Sequence, residues 1–251
     1  MSLSGPPEAI AAVPPLARKL QARPVGWAEQ ARIIFAKDLS IELRTGEVVT
    51  TSAFFGFVIV IMSSISFYDD SPHIRAQVAA GAIWLPTAFA SVLSLSRTWQ
   101  RERQEGAFEA LLVSPLSHSA IFMGKALGMF VFLLAVEAVV VPTAAVLFNI
   151  DLGQFGPGLL AIALCATPGI AAAGALFGVM TVRTRARDLV LAIVLFPLLS
   201  PTLMAVVGAT RDLFDGQSLG ALIGWFKVME IFDLAFLAGG LTLFGALADG
   251  G

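Results

Sequence analysis

Charged residues are scarce in this chain. Asp, Glu, Lys and Arg make up 14% of its 251 residues and apolar residues make up 57%, whereas soluble domains carry about 25% charged residues. This composition excludes an ordinary soluble domain and predicts an integral membrane protein. The net charge of −2 says little, because the placement of basic residues matters more than their sum in such proteins.

Cysteine is nearly absent, since Cys165 is the only one. A single cysteine excludes an internal disulfide and a cysteine-only metal cluster. The two histidines, His73 and His118, are expected in an outer loop and at the start of a span, so we predict that neither binds haem or a metal. The chain also lacks a G-x-x-x-x-G-K-[ST] phosphate loop, because the Gly124–Lys125 pair has no glycine at the required spacing before it.

Six apolar stretches are long enough to cross about 30 Å of hydrocarbon as helices. Runs such as "FFGFVIVIM" do not alternate polar and apolar residues as membrane strands would. Residues 1–24 lack the contiguous apolar core of a secretory signal, and we predict a disordered tail there. The predicted spans are 50–68, 78–96, 119–148, 157–181, 188–209 and 226–248.

The basic residues predict the orientation of these spans. Twelve of them lie before span 1 or in loops 2–3 and 4–5, against three in the alternate loops. Loops rich in Lys and Arg stay in the cytoplasm, so both termini are predicted to be cytoplasmic. The outer loops are short, which means that any function outside the membrane requires partner proteins.

Residues 25–47 predict an amphipathic helix that is too polar to span. Its apolar residues recur at helical spacing, so we expect it to lie along the membrane surface. At about 100° per residue, Asp38 and Glu42 fall inside the apolar face. They require either an exit to headgroup water or a cationic partner among the loop arginines.

The charged stretch "RERQEGAFEALLVSP" predicts a short cytoplasmic helix that begins near Arg97 and ends before Pro115. An acidic stripe lies beside an apolar ridge, with a glycine between them. Such a ridge resembles the anchors of helix-in-groove binding, although a loop folded back onto the bilayer is the simpler alternative. The residues that we assign to this site are Arg101, Glu102, Glu105, Gly106, Phe108, Glu109, Leu111 and Leu112.

The segment "RQEGAFEALLVSPLSHSAIFMGKAL" is similar to the corresponding region of ABC-2-type permeases, in which the loop after the second span is a coupling helix that inserts into the ATPase subunit. Further stretches resemble the CcmB family, the permease subunit of the haem exporter of cytochrome c maturation. They are "FAKDLSIELR", "AIWLPTAFASVLSLSRTW", "LLVSPLS", "LFPLLSPTLM" and "EIFDLAF". The predicted fold is therefore all-α, with an interfacial helix at 25–47 and a six-span permease domain at 48–251 that includes the coupling helix.

The resemblance implies a bacterial inner-membrane subunit that is not itself an enzyme. ATP and Mg would bind to a CcmA-type ATPase, and haem would be handled by the complex rather than bound directly by this chain. Further implied partners are a CcmC-type haem protein, a small CcmD-type subunit and a second copy of the chain. We favour release of a haem-loaded chaperone over conduction of haem, because credible haem ligands are scarce. An ABC-2 permease for lipid, polysaccharide or drug, and a membrane scaffold, remain open.

Three acidic residues fall within or beside the predicted spans. Glu137 lies in the outer half of span 3, eighteen residues after its start (137 − 119), where an ionised carboxylate is costly, so it should face the bundle interior. Either a functional or subunit-interface role or a protonated structural role fits Glu137. Glu230 and Asp233 are expected at the outer edge of span 6, in headgroup water near Lys227.

Overall fold

The structure is a computed structural model that describes residues 25–67, 71–104, 114–181 and 187–249. Within these ranges the chain forms α-helices and no strand, which confirms the predicted all-α class. The tail predicted for 1–24 lies outside the described residues. The helices are α1 (Trp27–Thr45), α2 (Glu47–Ser66), α3 (Pro72–Gln104), α4 (His118–Phe148), α5 (Leu152–Thr181), α6 (Arg187–Phe214) and α7 (Ile223–Asp249).

Helices α2 to α7 are the six membrane spans. Each contains an apolar window that is long enough to cross a membrane, and each window overlaps one of the six predicted stretches. The chain is therefore a multi-pass membrane protein. We call the end of the bundle that holds α1 the inner end, following the predicted orientation, and the end with the α4–α5 and α6–α7 turns the outer end.

Helix α6 runs further than its apolar pattern suggests. Span 5 was predicted to end at residue 209, but α6 continues to Phe214. The polar residues after 209 do not end the helix. It ends before Gly216, whose left-handed backbone, with φ of 84°, closes the turn after Phe214. Helix α4 ends in the same way, because Asn149 takes a left-handed conformation and its N–H donates to the carbonyl of Ala145.

Helix α3 extends past the membrane boundary that we predicted for span 2. We predicted a separate helix that begins near Arg97. That starting point is wrong, because residues 97–104 continue α3 without a break. The physical reason is local: the first glycine after Pro86 is Gly106, so nothing earlier interrupts the helix. Residues 105–113, which carry most of the predicted coupling segment, lie outside the described residues.

The centre of the bundle is built from α4 and α5. In α5, 72% of the apolar window is buried, against 28% in α2 and in α7. Helix α5 packs against α4, α6 and α7, and α4 also contacts α1, α2 and α3. Helix α4 therefore connects α1, at the inner end, to the middle of the bundle.

Candidate functional site

Helix α1 lies along the first part of α4 and runs in the same direction. Trp27 Nε1 donates to Ser119 Oγ at 2.9 Å, while Asp38 lies further along, beside Gly128. Residue numbers thus rise together on both helices. The apolar face that we expected to contact lipid instead packs against α4, and the position of α1 relative to a membrane stays a prediction.

Close approach of the two helices depends on Gly124. A Cβ at this position would lie 2.6 Å from Ile34 Cβ and 2.7 Å from the carbonyl oxygen of Ala31. These separations are far shorter than the roughly 3.5–4.0 Å of ordinary carbon contacts. The glycine therefore allows the backbones of α1 and α4 to pack directly against each other, as small residues do in membrane helix pairs.

A buried ion pair joins α1 to α4. Lys125 Nζ lies 2.8 Å from Asp38 Oδ2, and the exposed fractions of the two side chains are 2% and 7%. Lys37 Nζ lies 3.2 Å from the other carboxylate oxygen, Oδ1. The position of Asp38 inside the apolar face was predicted correctly. Its partners, however, are Lys125 of span 3 and Lys37, the residue before it in the sequence, rather than headgroup water or a loop arginine.

Lys125 is the residue that sequence reasoning missed. In the sequence it stands out only as half of the Gly-Lys pair, and no structural partner was predicted for it. The signal was nevertheless present, because a lysine inside an apolar span requires a counter-charge or a path to water. Asp38 and Glu42, two acids inside an apolar face, have the complementary requirement.

Glu42 fixes α1 to α2. Its Oε1 accepts a hydrogen bond at 2.8 Å from the amide of Val49, in the first turn of α2. Its main-chain carbonyl accepts the N–H of Gly46, which has a left-handed φ of 60° and separates the two helices. The first amides of a helix lack partners within the helix and attract negative charge, so Glu42 acts as a cap for α2.

The opposite face of α1 carries an exposed ion pair. Arg32 donates two hydrogen bonds to Glu29, at 2.7 and 2.8 Å. These bonds hold the pKa of Glu29 below its ordinary value. Because both side chains are largely exposed, solvent screens the pair and its contribution to stability is small.

Glu137 faces the bundle interior, as predicted. Its exposed fraction is 4%, and its Oε1 accepts a hydrogen bond at 2.9 Å from Thr167 Oγ1 of α5. Its second oxygen, Oε2, has no hydrogen-bond partner among the described residues. Glu137 therefore marks the place where α4 and α5 are joined by a polar contact near the middle of the bundle.

The expectation that Glu230 and Asp233 both lie in headgroup water was wrong for Asp233. Glu230 is exposed, but Asp233 is buried among the helices. A Cβ on Gly169 of α5 would overlap the carboxylate of Asp233, so the absence of a side chain there leaves room for this acid. The sequence spacing gave no sign of that gap, because it lies on another helix.

The predicted coupling segment can be located only by its ends. Arg101 and Glu102 belong to the last turns of α3, and their side chains are not described. Glu105, Gly106, Phe108, Glu109, Leu111 and Leu112 lie outside the described residues, so their role stays a prediction. After the segment, Ser117 donates hydrogen bonds from its N–H and its hydroxyl to Gln30 Oε1, at 2.8 and 3.1 Å. The exit of the segment is thus bonded to α1.

The histidines lie at the ends of the helices. His73 is exposed at the outer end, with Nδ1 3.1 Å from Asp215 Oδ1, and His118 is the first residue of α4. In the part of the chain that the structure describes, no three His, Cys, Asp or Glu side chains form a group that could hold a metal ion.

A family model described as CcmB protein matches residues 29–244. The chain belongs to the CcmB protein family. The matched region begins in α1 and ends within α7, so it covers the Asp38–Lys125 pair between α1 and α4, the first five spans and most of the sixth.

Three relatives illustrate this similarity, and each is named heme exporter protein B. The protein from Pseudomonas aeruginosa is 24% identical over 220 residues, covering 86% of this chain and 94% of the relative. The protein from Bradyrhizobium diazoefficiens is 23% identical over 202 residues, covering 80% and 90%. The protein from Rhodobacter capsulatus is 25% identical over 192 residues, covering 75% and 85%.

Proposed function

We propose that this protein is the permease subunit of an ABC exporter that serves haem delivery in the assembly of c-type cytochromes. The observation that carries the proposal is the family match over residues 29–244. Relatives named heme exporter protein B, which align with this chain over nearly their whole length, support it. The protein works as one membrane subunit of a complex with several partners.

ATP hydrolysis takes place on a separate CcmA-type subunit, which binds the nucleotide and Mg. The sequence has no phosphate loop of its own, which is consistent with this division of labour. The coupling segment that follows α3 docks on the ATPase, and Leu111 and Leu112 provide its apolar anchors. The bond between Ser117 and Gln30 supports a shared role for the segment and α1.

The complex lies in the bacterial inner membrane, with both termini of this chain in the cytoplasm. The distribution of Lys and Arg supports this orientation. The other partners are a second copy of the chain, a CcmC-type haem protein and a small CcmD-type subunit. Their presence is inferred from the family.

The movement of the bundle releases a haem-loaded chaperone at the outer face, and haem itself does not bind to this chain. The positions of the histidines support this choice, because His73 is bonded to Asp215 at the outer end and His118 begins α4 at the inner end. Neither imidazole is therefore placed to serve as an axial haem ligand in the interior of the bundle.

A gene deletion tests the function. We expect membranes of the deletion strain to lose the covalent haem stain of c-type cytochromes, while b-type cytochromes are unchanged, and we expect the intact gene to restore the stain. Full c-type cytochromes in the deletion strain would overturn the haem assignment and favour an ABC-2 permease for lipid, polysaccharide or drug.

A pull-down tests the coupling segment. We expect the variant Glu105→Lys with Leu111→Asp to lose the ATPase subunit. The matched control, Glu8→Lys with Leu16→Asp, makes the same changes before the family match begins and should retain it. If both variants bind the ATPase as well as the unmodified protein does, the assignment of the segment is wrong.

A further inference from the structure

Two acidic side chains on one face of α1 bind two different spans. Asp38 pairs with Lys125 of α4 at 2.8 Å, and Glu42 accepts the amide of Val49 in α2 at 2.8 Å. Because they are four residues apart on a helix, the two acids project in nearly the same direction. Helix α1 is therefore bonded to the inner parts of α2 and α4 at once.

Stability alone does not explain the Asp38–Lys125 pair. Both side chains are almost fully buried, so both charges have lost most of their hydration. Replacing a buried ion pair by apolar residues of similar volume is often neutral or even stabilising. The packing of Ile34 on Gly124 already holds the two helices together without charge. What the ion pair adds is one preferred register of α1 on α4. A shift of α1 by one turn in one direction leaves Lys125 without a carboxylate, and a shift in the other direction brings Glu42 to Lys125 only by breaking the bond between Glu42 and Val49.

Helix α4 carries this register into the bundle. Lys125 precedes Glu137 by twelve residues on one continuous helix, which corresponds to about 18 Å at 1.5 Å per residue. Glu137 in turn contacts Thr167 of α5, the most enclosed span. One continuous helix thus joins the Asp38–Lys125 pair at the inner end to the Glu137–Thr167 bond.

We propose that the Asp38–Lys125 pair is the link through which α1 moves α4, and that Glu42 holds α2 to the same movement. Asp38 and Lys125 are positioning residues: they fix the register of two helices and do not contact the transported cargo. The inference rests on the proposed function, because it takes the driving movement to come from the ATPase subunit.

The test measures ATP turnover and haem output separately in the complete complex. The variants Asp38→Asn and Lys125→Met are placed in the deletion strain, and the purified complex is assayed for ATP hydrolysis while membranes are stained for covalent haem. We expect ATP hydrolysis close to that of the unmodified complex, and covalent haem per ATP hydrolysed to fall roughly tenfold, within the range of ordinary coupling between sites. The charge swap, Asp38→Lys with Lys125→Asp, should restore part of this ratio.

Two further variants separate the link from a merely structural role. Arg32→Gln removes the exposed ion pair of the same helix and should leave both readouts unchanged. Asp38→Leu with Lys125→Met keeps the contact packed without charge, so it should fold, assemble with the ATPase and still lose coupling. This variant keeps the inference testable if the single substitutions fail to accumulate in the membrane.

The outcomes distinguish this inference from the proposed function. If the unmodified gene does not restore covalent haem to the deletion strain, the proposed function fails. If it does, and the Leu/Met pair transfers as much haem per ATP as the unmodified complex, the link is refuted. A parallel loss of ATP hydrolysis and haem output in Asp38→Asn would also refute it, because the pair would then support assembly rather than coupling.

Discussion

Substituting Gly124 by alanine should separate α1 from α4. The added Cβ would lie 2.6 Å from Ile34 Cβ and 2.7 Å from the carbonyl of Ala31, whereas carbon atoms pack best at about 3.5–4.0 Å. Helix α1 must therefore retreat by about 1 Å. That retreat would lengthen the 2.8 Å contact between Asp38 and Lys125 beyond the roughly 2.7–2.9 Å of charge-assisted hydrogen bonds.

The expected cost follows from this overlap. Inserting a methyl group into a packed contact costs about 1–3 kcal/mol, which lowers the equilibrium constant between docked and undocked α1 by roughly 5- to 150-fold. Gly128→Ala is the matched control, because its Cβ would lie 3.7 Å from Asp38 Cβ, an ordinary contact distance. The gain in helix propensity is common to both substitutions and cancels in the comparison.

Cross-linking measures the docking of α1 directly. In a Cys165→Ala background the only thiols are those introduced by Gln30→Cys and Ser117→Cys, at two positions that are hydrogen-bonded in the native protein. A short bifunctional thiol reagent should join them readily with Gly128→Ala and much more slowly with Gly124→Ala. Equal rates in the two variants would refute the argument that α1 packs on α4 through Gly124.

Two further substitutions test other contacts. Glu42→Ala removes the cap at the start of α2 and should lower the free energy of unfolding by about 0.5–2 kcal/mol. The control, Glu29→Ala on the exposed face of α1, should have little effect. Equal shifts of the thermal midpoint in the two variants would contradict the capping role. Gly169→Ala should be strongly destabilising because its Cβ would overlap the Asp233 carboxylate. The control, Gly224→Ala, places a Cβ where nothing lies within 4 Å and should be neutral or slightly stabilising. Equal thermal midpoints of the two variants in detergent would contradict the placement of Asp233.

The six spans could be predicted from sequence because hydrophobicity and length are local properties of the chain. Helix ends were less accurate, since α6 continues through polar residues to Phe214 and α3 continues past the predicted end of span 2 to Gln104. A hydropathy pattern reports the solvent around a helix, and backbone geometry decides where the helix stops. These are separate physical questions, and composition answers only the first.

Only the α1 residues of the contact between α1 and α4 could be predicted from the sequence. Helical periodicity alone places Asp38 and Glu42 inside the apolar face, and the burial of both residues agrees with this. The partner Lys125 could not be deduced, because periodicity within α1 contains no information about a residue on another helix. Asp233 shows the same limit, since its burial depends on the missing side chain of Gly169.

The ion pair between α1 and α4 also sets an order of assembly. Asp38 leaves the ribosome 87 residues before Lys125 (125 − 38), a delay on the order of ten seconds at typical rates of synthesis. During that interval the carboxylate of Asp38 has no Lys125 to bind, and α1 must wait in water or among lipid headgroups. Docking of α1 therefore follows synthesis of the first part of the third span. A chain truncated before residue 118 would leave α1 without its binding surface, a state that quality-control proteases could recognise.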